Sequence, residues 1–306
     1  MRKQLASPAV TVVIPTFNRA DDLRRCLKSL LAQTFGNFEV LVCDDGSTDV
    51  NGEVAREFAD RLDLDFETAE NFGGPARPRN RGIARARAPY VAFLDSDDWW
   101  APGKLERSVA VLDAGADLVY HDLFTVRSSD QVRFEGRIAS TAPQHPMFVA
   151  LLCTGMSIPN SSVVVRKDLL NRIGGVSESR ELISVEDYDT WIRLSRLTED
   201  FVRIPECLGY YWIGGGNISA ATPRQVSRIR ALYAQYLDEL PPKHRPRAEG
   251  FLAYRIARIA QGHGDCALAA QNMAFAVRRP MDLPYRAKAM YFLAHNLLAR
   301  LRHESR

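Results

Sequence analysis

The first 44 residues constrain the fold more than any other stretch. Val10 to Ile14 is a continuous apolar, β-branched run, as expected of a strand covered on both faces. Pro15 is expected to end it. Leu23, Cys26, Leu27, Leu30 and Leu31 then fall at helical spacing and give one apolar stripe, with Asn18 placed to cap that helix. Phe38-Glu-Val-Leu-Val-Cys43 reads as a second strand and ends in Asp44-Asp45-Gly46-Ser47. Strand, helix and strand in so short a span form a βαβ unit, whose crossover is almost always right-handed. Both strands then deliver their C-terminal ends to one edge of a parallel sheet, the edge where ligands bind.

A third apolar run, Tyr90-Val-Ala-Phe-Leu94, stops abruptly at Asp95, Asp97 and Asp98, with Ser96 between the first two. Three carboxylates at the end of a buried strand repel one another and are costly to desolvate. A divalent cation relieves that cost, and oxygen ligands of this kind suit Mg²⁺ or Mn²⁺. Such a cation usually also holds a substrate phosphate, so a nucleoside diphosphate is the expected partner. The competing expectation is a solvated acidic turn that caps the next helix. An EF-hand is excluded, because Trp100 and not Gly stands at the sixth position of a loop begun at Asp95.

Taken together, IPTFNRADDLRRCLKSLLAQTFGNFEVLVCDDGSTD, NFGGPARPRNRGIARARAPYVAFLDSDDWWAPGKL and ISVEDYDTWIRLSR resemble, in order, the family-2 inverting glycosyltransferases of GT-A fold. These pieces span about the first two-thirds of the chain. The resemblance implies a GT-A nucleotide-diphospho-sugar transferase fold, a Rossmann-like, mainly parallel sheet flanked by helices. It also implies roles. Thr16 and Phe17 fall where the family holds the uridine, the aromatic ring against base or ribose. Asp45 matches the carboxylate that accepts a hydrogen bond from the base, and Arg79 an arginine near base and phosphates. Asp95, with Ser96 beside it, falls on the ribose side of the Asp-x-Asp motif, and Asp97 matches its metal ligand. Asp187 matches the catalytic base, with Glu186, Trp99 and Trp100 on the acceptor side. One feature departs from the pattern. Many relatives carry a His after a Tyr-Arg pair near the end of the catalytic domain, whereas Tyr210 to Ser219 here holds three glycines and no His.

The chemistry of the residues agrees with these roles. A diphosphate needs positive charge, which a cation and Arg79 supply. A uracil edge offers a donor that Asp45 can accept, and Gly73-Gly74 lets the backbone pass close to a ligand. Simpler roles stand beside these. Phe17 would also pack in a core, Asp44 and Ser47 would organise a turn, and Trp99 and Trp100 would serve as packing residues or as a sugar platform. Arg77, Arg81, Arg85 and Arg87 read as a solvated face.

The five cysteines are odd in number and widely spaced, without a C-x-x-C. This favours free thiols and a cytoplasmic setting. The N-terminus lacks an apolar signal segment, and no run approaches the length of a membrane span. From Thr222 onward 15 Lys/Arg stand against 6 Asp/Glu, net +9, while the whole chain carries +3. The expected organisation is a catalytic domain over 1–221, with a nucleotide-sugar half to about 116 and an acceptor half over 117–221. A helical extension over 222–306 follows. Its amphipathic last helix is expected to pack on the catalytic domain, to pair with a second copy, or to lie on the inner face of an anionic membrane. The expected activity is metal-dependent (Mg²⁺ or Mn²⁺) inverting transfer of a sugar from a nucleotide donor, UDP above all, to a hydroxyl of a glycan or lipid-linked acceptor. The setting would be cell-envelope or extracellular polysaccharide synthesis, with no nucleic-acid partner. The alternative is a non-catalytic nucleotide-sugar-binding protein of the same fold. A dinucleotide oxidoreductase is excluded, since Pro15-Thr-Phe-Asn-Arg19 stands where G-x-G-x-x-G would be needed.

Overall fold

The computed structural model of the chain describes residues 5–128, 130–215 and 221–304, residues 294–304 by backbone alone. The elements in chain order are β1 (Val10–Thr16), α1 (Ala20–Leu31), β2 (Phe38–Asp44), α2 (Asn51–Arg56), β3 (Asp63–Thr68), α3 (Ala76–Arg85), β4 (Tyr90–Phe93), β5 (Trp99–Trp100), α4 (Lys104–Asp113) and β6 (Leu118–Val126). There follow β7 (Arg137–Ile138), α5 (Met147–Cys153), β8 (Val164–Arg166), α6 (Lys167–Arg172), α7 (Glu186–Leu194), β9 (Phe201–Trp212), α8 (Pro223–Tyr236), α9 (Arg245–Gly262), α10 (Cys266–Ala276) and α11 (Leu283–Glu304). They form two compact units, one drawn from 1–143, 157–178 and 186–216, the other from 144–156, 179–185 and 217–306.

The first unit is built on one sheet of order β3-β2-β1-β4-β8-β6-β9-β5, with β7 against β6. β3, β2, β1 and β4 are parallel neighbours. β8 then runs antiparallel to both β4 and β6, and β9 is parallel to β6. The chain leaves β1 to one side for β2, while β4 lies on the other side. The strand order therefore reverses at β1, the kind of position at whose C-terminal edge open α/β sheets bind ligands. The core explains the apolar runs. Val10, Val12, Ile14, Val40, Val42, Ala92 and Leu94 meet the stripe of Leu23, Cys26, Leu27 and Leu30, all essentially inaccessible to solvent.

Local sequence explains several departures from expectation. β1 does not stop at Pro15 but continues to Thr16. Leu94 N–H donates to Val13 O (3.1 Å) and Asp45 N–H to Thr16 O (2.9 Å). Alternate residues of β1 thus face opposite neighbours, and Pro15 turns its missing donor toward β4 just past the last paired residue, Val13. Asn18 does not cap α1. It sits at φ 49°, and its Oδ1 accepts from Thr48 N (2.8 Å), while Asp49 Oδ2 takes the Ala20 N–H. The four arginines read as a solvated face also form ion pairs, Arg87 with buried Glu39 and Asp63, Arg85 with Asp65 and Glu67, Arg81 with Glu67 and Arg77 with Glu178, while Arg77, Arg85 and Arg87 stay exposed. Gly82 lets α3 approach the sheet, since a Cβ there would lie 2.4 Å from Val13 Cγ1.

The second unit is helical. α9 and α10 pack on each other, and the Phe251 and Tyr254 rings stack 6.2 Å apart while Tyr285 meets both edge-on at 5.3 and 5.4 Å. Gly155, at φ 69°, lies under this cluster, where a Cβ would meet Phe251 Cζ at 2.6 Å. Tyr233 donates its hydroxyl to Leu152 O (3.1 Å). No helix among the described residues is long and apolar enough to cross a membrane. All five cysteines are free thiols, and Cys26, Cys43 and Cys153 are buried.

Candidate active site

The acidic segment after β4 folds into a turn in which Asp98 N–H donates to Asp95 O (3.0 Å). Each carboxylate has a different environment. Asp95 receives Arg79 Nη2 at 2.7 Å and Asn160 Nδ2 at 3.0 Å, and its own N–H donates to Ser161 Oγ. Asp97 pairs with Arg19 Nη1 at 3.0 Å. Burial and the neighbouring Asp95 push its carboxyl up to about 6. Asp98 is buried. Its Oδ1 accepts from Trp212 N (2.9 Å), its Oδ2 has no hydrogen-bond partner, and burial raises its carboxyl further still. Ser96 is buried within the turn.

Arg79, on α3 and 3% exposed, ties this turn to the start of α7. Its Nη1 donates to Glu186 Oε1 at 2.6 Å while its Nη2 holds Asp95. Desolvation opposes the guanidinium charge, but Asp95, Glu186 and Asp187 more than offset it and hold the group protonated. Asp187 follows Glu186 in the first turn of α7, and its Oδ1 accepts the Tyr188 N–H (2.7 Å). Burial, and then Glu186, push the Asp187 carboxyl up to about 7, with Arg79 opposing. Residues more than a hundred positions apart in sequence, Arg79 and Glu186-Asp187, thus converge on Asp95.

The β1 and β2 ends lie beside this group. Phe17 is 46% exposed, so it is not a core residue. Asp45 is buried and accepts Phe72 N on Oδ1 and Gly73 N on Oδ2, both at 3.0 Å. Asp44 takes the structural part: it accepts from Ser47 N, Thr68 Oγ1 and Asn51 Nδ2, and those hydrogen bonds hold its carboxyl below its usual value against the cost of burial. Thr16 is buried, with Oγ1 3.3 Å from Asn51 Nδ2. Gly46 must be glycine, because at φ 76° a Cβ would lie 2.9 Å from Ala69 O.

The two tryptophans part company. Trp100 is 2% exposed, joins the core and donates Nε1–H to Ser161 O (2.7 Å), so it packs rather than presenting a face. Trp99 is partly exposed and stacks on Tyr210, centroids 5.3 Å apart. Arg25 of α1 lies between the Trp99 and Trp212 rings, 4.5 and 4.7 Å from their centroids, and donates to Asp97 O (2.8 Å). Glu186 is likewise buried and serves as a counter-ion to Arg79, with its Oε2 unpartnered.

Sequence reading missed Arg19, Arg25, Asn160 and Ser161. The polar run Asn160-Ser-Ser162 just before the β-branched Val163-Val-Val165 was the available signal for the last two. The glycine-rich segment in which the family's His is lacking runs partly through Gly216, Asn217, Ile218 and Ser219, which lie outside the described residues.

Among the described residues no three His, Cys, Asp or Glu side chains converge to hold a metal. The donor set still fits a Mg²⁺ or Mn²⁺ of one kind, bound by one or two protein carboxylates and completed by substrate phosphate and water. Asp97, partly buried beside Asp95 and with all-oxygen chemistry, suits that role.

Residues 11–173 match the sequence model of the family described as Glycosyl transferase family 2. The chain is 31% identical over 186 residues to the Escherichia coli enzyme named UDP-Glc:alpha-D-GlcNAc-diphosphoundecaprenol beta-1,3-glucosyltransferase WfgD, a match that covers 60% of this chain and 69% of that one. It spans 18% of one curated relative it matches and 81% of another. Among solved structures, Staphylococcus aureus TarS 1-349 in complex with UDP-GlcNAc superposes with a TM-score of 0.66 at 20% identity, over 88% of this chain and 80% of that one. Mannosyltransferase PcManGT from Pyrobaculum calidifontis, in complex with GDP-Man and Mn²⁺, gives 0.63 at 20% identity, over 97% of this chain and 83% of that one.

Proposed function

The chain belongs to glycosyl transferase family 2, has the GT-A fold and is a glycosyltransferase, and on that premise we propose that it moves a sugar from a UDP donor, with inversion, to a hydroxyl of a glycan or lipid-linked acceptor in polysaccharide synthesis. The observation that carries this is the Arg79 bridge, which brings Asp95 and Glu186-Asp187 to the end of β4. The names of WfgD and of the UDP-GlcNAc complex of TarS support a UDP donor and a lipid-linked acceptor.

In this reading the exposed Phe17 ring takes the base or ribose, and Asp45, fixed by two loop amides, accepts from the base. Asp95 meets the ribose, and Arg79 lends charge to the phosphate side while fixing the base-bearing helix. Asp97 would hold a divalent cation, which when bound supplies positive charge opposite the departing diphosphate. Asp187 accepts the acceptor's hydroxyl proton as the new C–O bond forms at the anomeric carbon. The old bond to the diphosphate breaks on the far side and the electron pair leaves with it. A single displacement without an enzyme nucleophile inverts the centre. With a carboxyl near 7, Asp187 is basic enough to take the proton yet largely ionised just above neutrality.

The second unit would serve the acceptor side through an anionic membrane surface. It exposes Phe275, Leu283, Met290 and Tyr291 on a stretch of chain carrying net +9. The test of the whole reading is turnover across a panel of UDP-, GDP- and dTDP-sugars with Mn²⁺ or chelator. Transfer or hydrolysis of a UDP-sugar that requires the cation and disappears in Asp97→Ala is expected. Activity indifferent to chelator and to that substitution would sink the reading.

A further inference from the structure

The acidic turn after β4 meets a guanidinium that the proposed mechanism leaves unused. Arg19, the residue just before α1, places Nη1 3.0 Å from Asp97 Oδ2 and 3.2 Å from Asp22 Oδ2. The pair is partly shielded, with side chains 21% and 18% exposed. Resting on the reading of Asp97 as the cation ligand, we propose that Arg19 is an exchangeable counter-ion: it holds Asp97 in the free protein, yields that oxygen to a divalent cation, and then pairs with the donor's diphosphate.

The argument is one of charge and tether. Asp95 already has its own guanidinium in Arg79. Asp97 is matched by Arg19, so the turn in the free protein is not an open anionic site but an ion pair. A divalent cation on Asp97 Oδ2 and a guanidinium on the same oxygen would lie within a few ångströms of each other. Like charges at that distance repel strongly where water is partly excluded, so one must leave. Arg19 cannot go far. It follows Thr16-Phe17-Asn18 directly, and Asn18 is itself fixed through Ser47 Oγ to its N–H (2.8 Å) and through its Oδ1 to Thr48 N (2.8 Å). The released guanidinium therefore stays at the C-terminal edge of β1, where a nucleoside diphosphate would lie. Its planar fork can donate to two phosphate oxygens at once.

Arg25 makes the exchange possible without loss of the turn. It grips the Asp97 backbone carbonyl (2.8 Å) from between the Trp99 and Trp212 rings, and Trp212 N–H donates to Asp98. The main chain of the turn is thus held by one arginine while the carboxylate of the same residue is served by another. The consequence is an order of events, in which cation binding frees the group that then recognises the diphosphate. Cation and nucleotide binding are coupled through one side chain.

The test uses the full chain, with free Mn²⁺ followed by electron paramagnetic resonance and UDP binding by calorimetry at saturating Mn²⁺. Arg19→Gln is expected to bind Mn²⁺ alone about tenfold more tightly and UDP with Mn²⁺ about tenfold more weakly, the scale of losing one charge-assisted hydrogen-bonded pair. These opposite signs are the signature. Arg24→Gln removes the same charge five residues on, within α1, at a residue paired with Glu57, and should change neither constant by more than about twofold. Arg19→Lys keeps the charge without the fork, and should restore wild-type Mn²⁺ affinity while leaving UDP binding weakened. Mn²⁺ binding that is unchanged or weaker in Arg19→Gln overturns the exchange, and so does tighter Mn²⁺ binding with UDP affinity unaltered. Asp97→Asn separates the two levels of the argument. If it abolishes Mn²⁺ binding while Arg19→Gln behaves as wild type, only the role of Arg19 falls. If Asp97→Asn retains Mn²⁺, or if no variant and no wild type binds it, the cation reading of Asp97 falls and the exchange with it.

Discussion

Replacing Asp187 by Asn should separate activity from stability in opposite directions. The carboxyl is raised from 3.8 to about 7, chiefly by burial and by Glu186. A shift of roughly three units at 1.36 kcal/mol each sets a ceiling of about 4 kcal/mol. Glu186 shares the local negative charge and Arg79 offsets part of it, so the expected penalty is about 2 kcal/mol. The sign follows from proton binding. With its folded value above its unfolded one, the native state holds the proton more tightly, and stability falls as pH rises from about 4 to about 7. Above that range the full penalty of the buried charge is present. Asn carries no charge, so the variant and the parent should converge below about pH 3.5, while at pH 8 the variant should melt several degrees higher, at roughly 2–4 °C per kcal/mol. Turnover at saturating donor and Mn²⁺ should fall on the order of 10²–10⁴-fold, because Asn cannot accept the acceptor's proton. The parent's rate should rise with pH through about 7, and the variant's residual rate should lack that limb. Scanning calorimetry at the two pH values, together with a pH–rate profile, makes the check. A variant that melts lower at pH 8 while turning over normally would mean that Asp187 serves α7 through its hydrogen bond from Tyr188 N, and the reasoning would be refuted.

Three further expectations follow from individual side chains. Lys104 is fully buried over the Trp100 ring (3.6 Å), its Nζ has no hydrogen-bond partner, and burial lowers its amine well below the usual value. Lys104→Met should therefore raise thermal stability at pH 7 by about 1–3 kcal/mol. The gain should shrink as pH approaches 10.5, because an amine depressed only in the native state costs most where the unfolded chain is protonated. Gly82→Ala should cost about 1–3 kcal/mol in denaturant unfolding, since its Cβ would press to 2.4 Å on Val13 Cγ1 and 3.3 Å on Cys43 Sγ. The full chain should float with anionic vesicles at low salt and lose that binding on deletion of 284–306. A protein that stays in the aqueous fraction would leave the basic helices to pack or to pair with another copy.

How much of this was readable in advance depended on whether the determinant was local. Val10–Ile14, Phe38–Cys43 and Tyr90–Leu94 declare themselves because a strand buried on both faces needs unbroken apolar residues, and parallel pairing follows from the helix-length connections. The clustered acids at 44–45 and 95–98 declare themselves because charge directly after such a run is costly unless something uses it. Long-range partners are silent. Asn160 reaches Asp95 across 65 positions and Arg25 reaches Asp97 across 72, and neither residue looks unusual among its neighbours. Asn18 misled because its type suits a cap, whereas its left-handed backbone instead sends the side chain to Thr48. Phe17 left core and surface both open, and only the end of β1 at the sheet edge decides for exposure. The segments 144–156 and 179–185 join the helical unit although nothing in their composition sets them apart.

Arg79 is the point where these threads meet. One guanidinium in a buried position must find compensation for roughly its whole charge, and it finds two carboxylates, Asp95 in the acidic turn and Glu186 beside Asp187. Satisfying Asp95 and Glu186 together leaves Asp187 adjacent to a cation but not hydrogen-bonded through either of its Nη atoms as described, so its proton affinity is set by burial and by Glu186 more than by Arg79. The arrangement keeps Glu186 as the counter-ion of Arg79 and leaves the raised carboxyl to Asp187. It also couples the acidic turn to α7, because a shift of Asp95 is a shift of the group that anchors Glu186. A lysine could neutralise either carboxylate but could not span both with a planar fork.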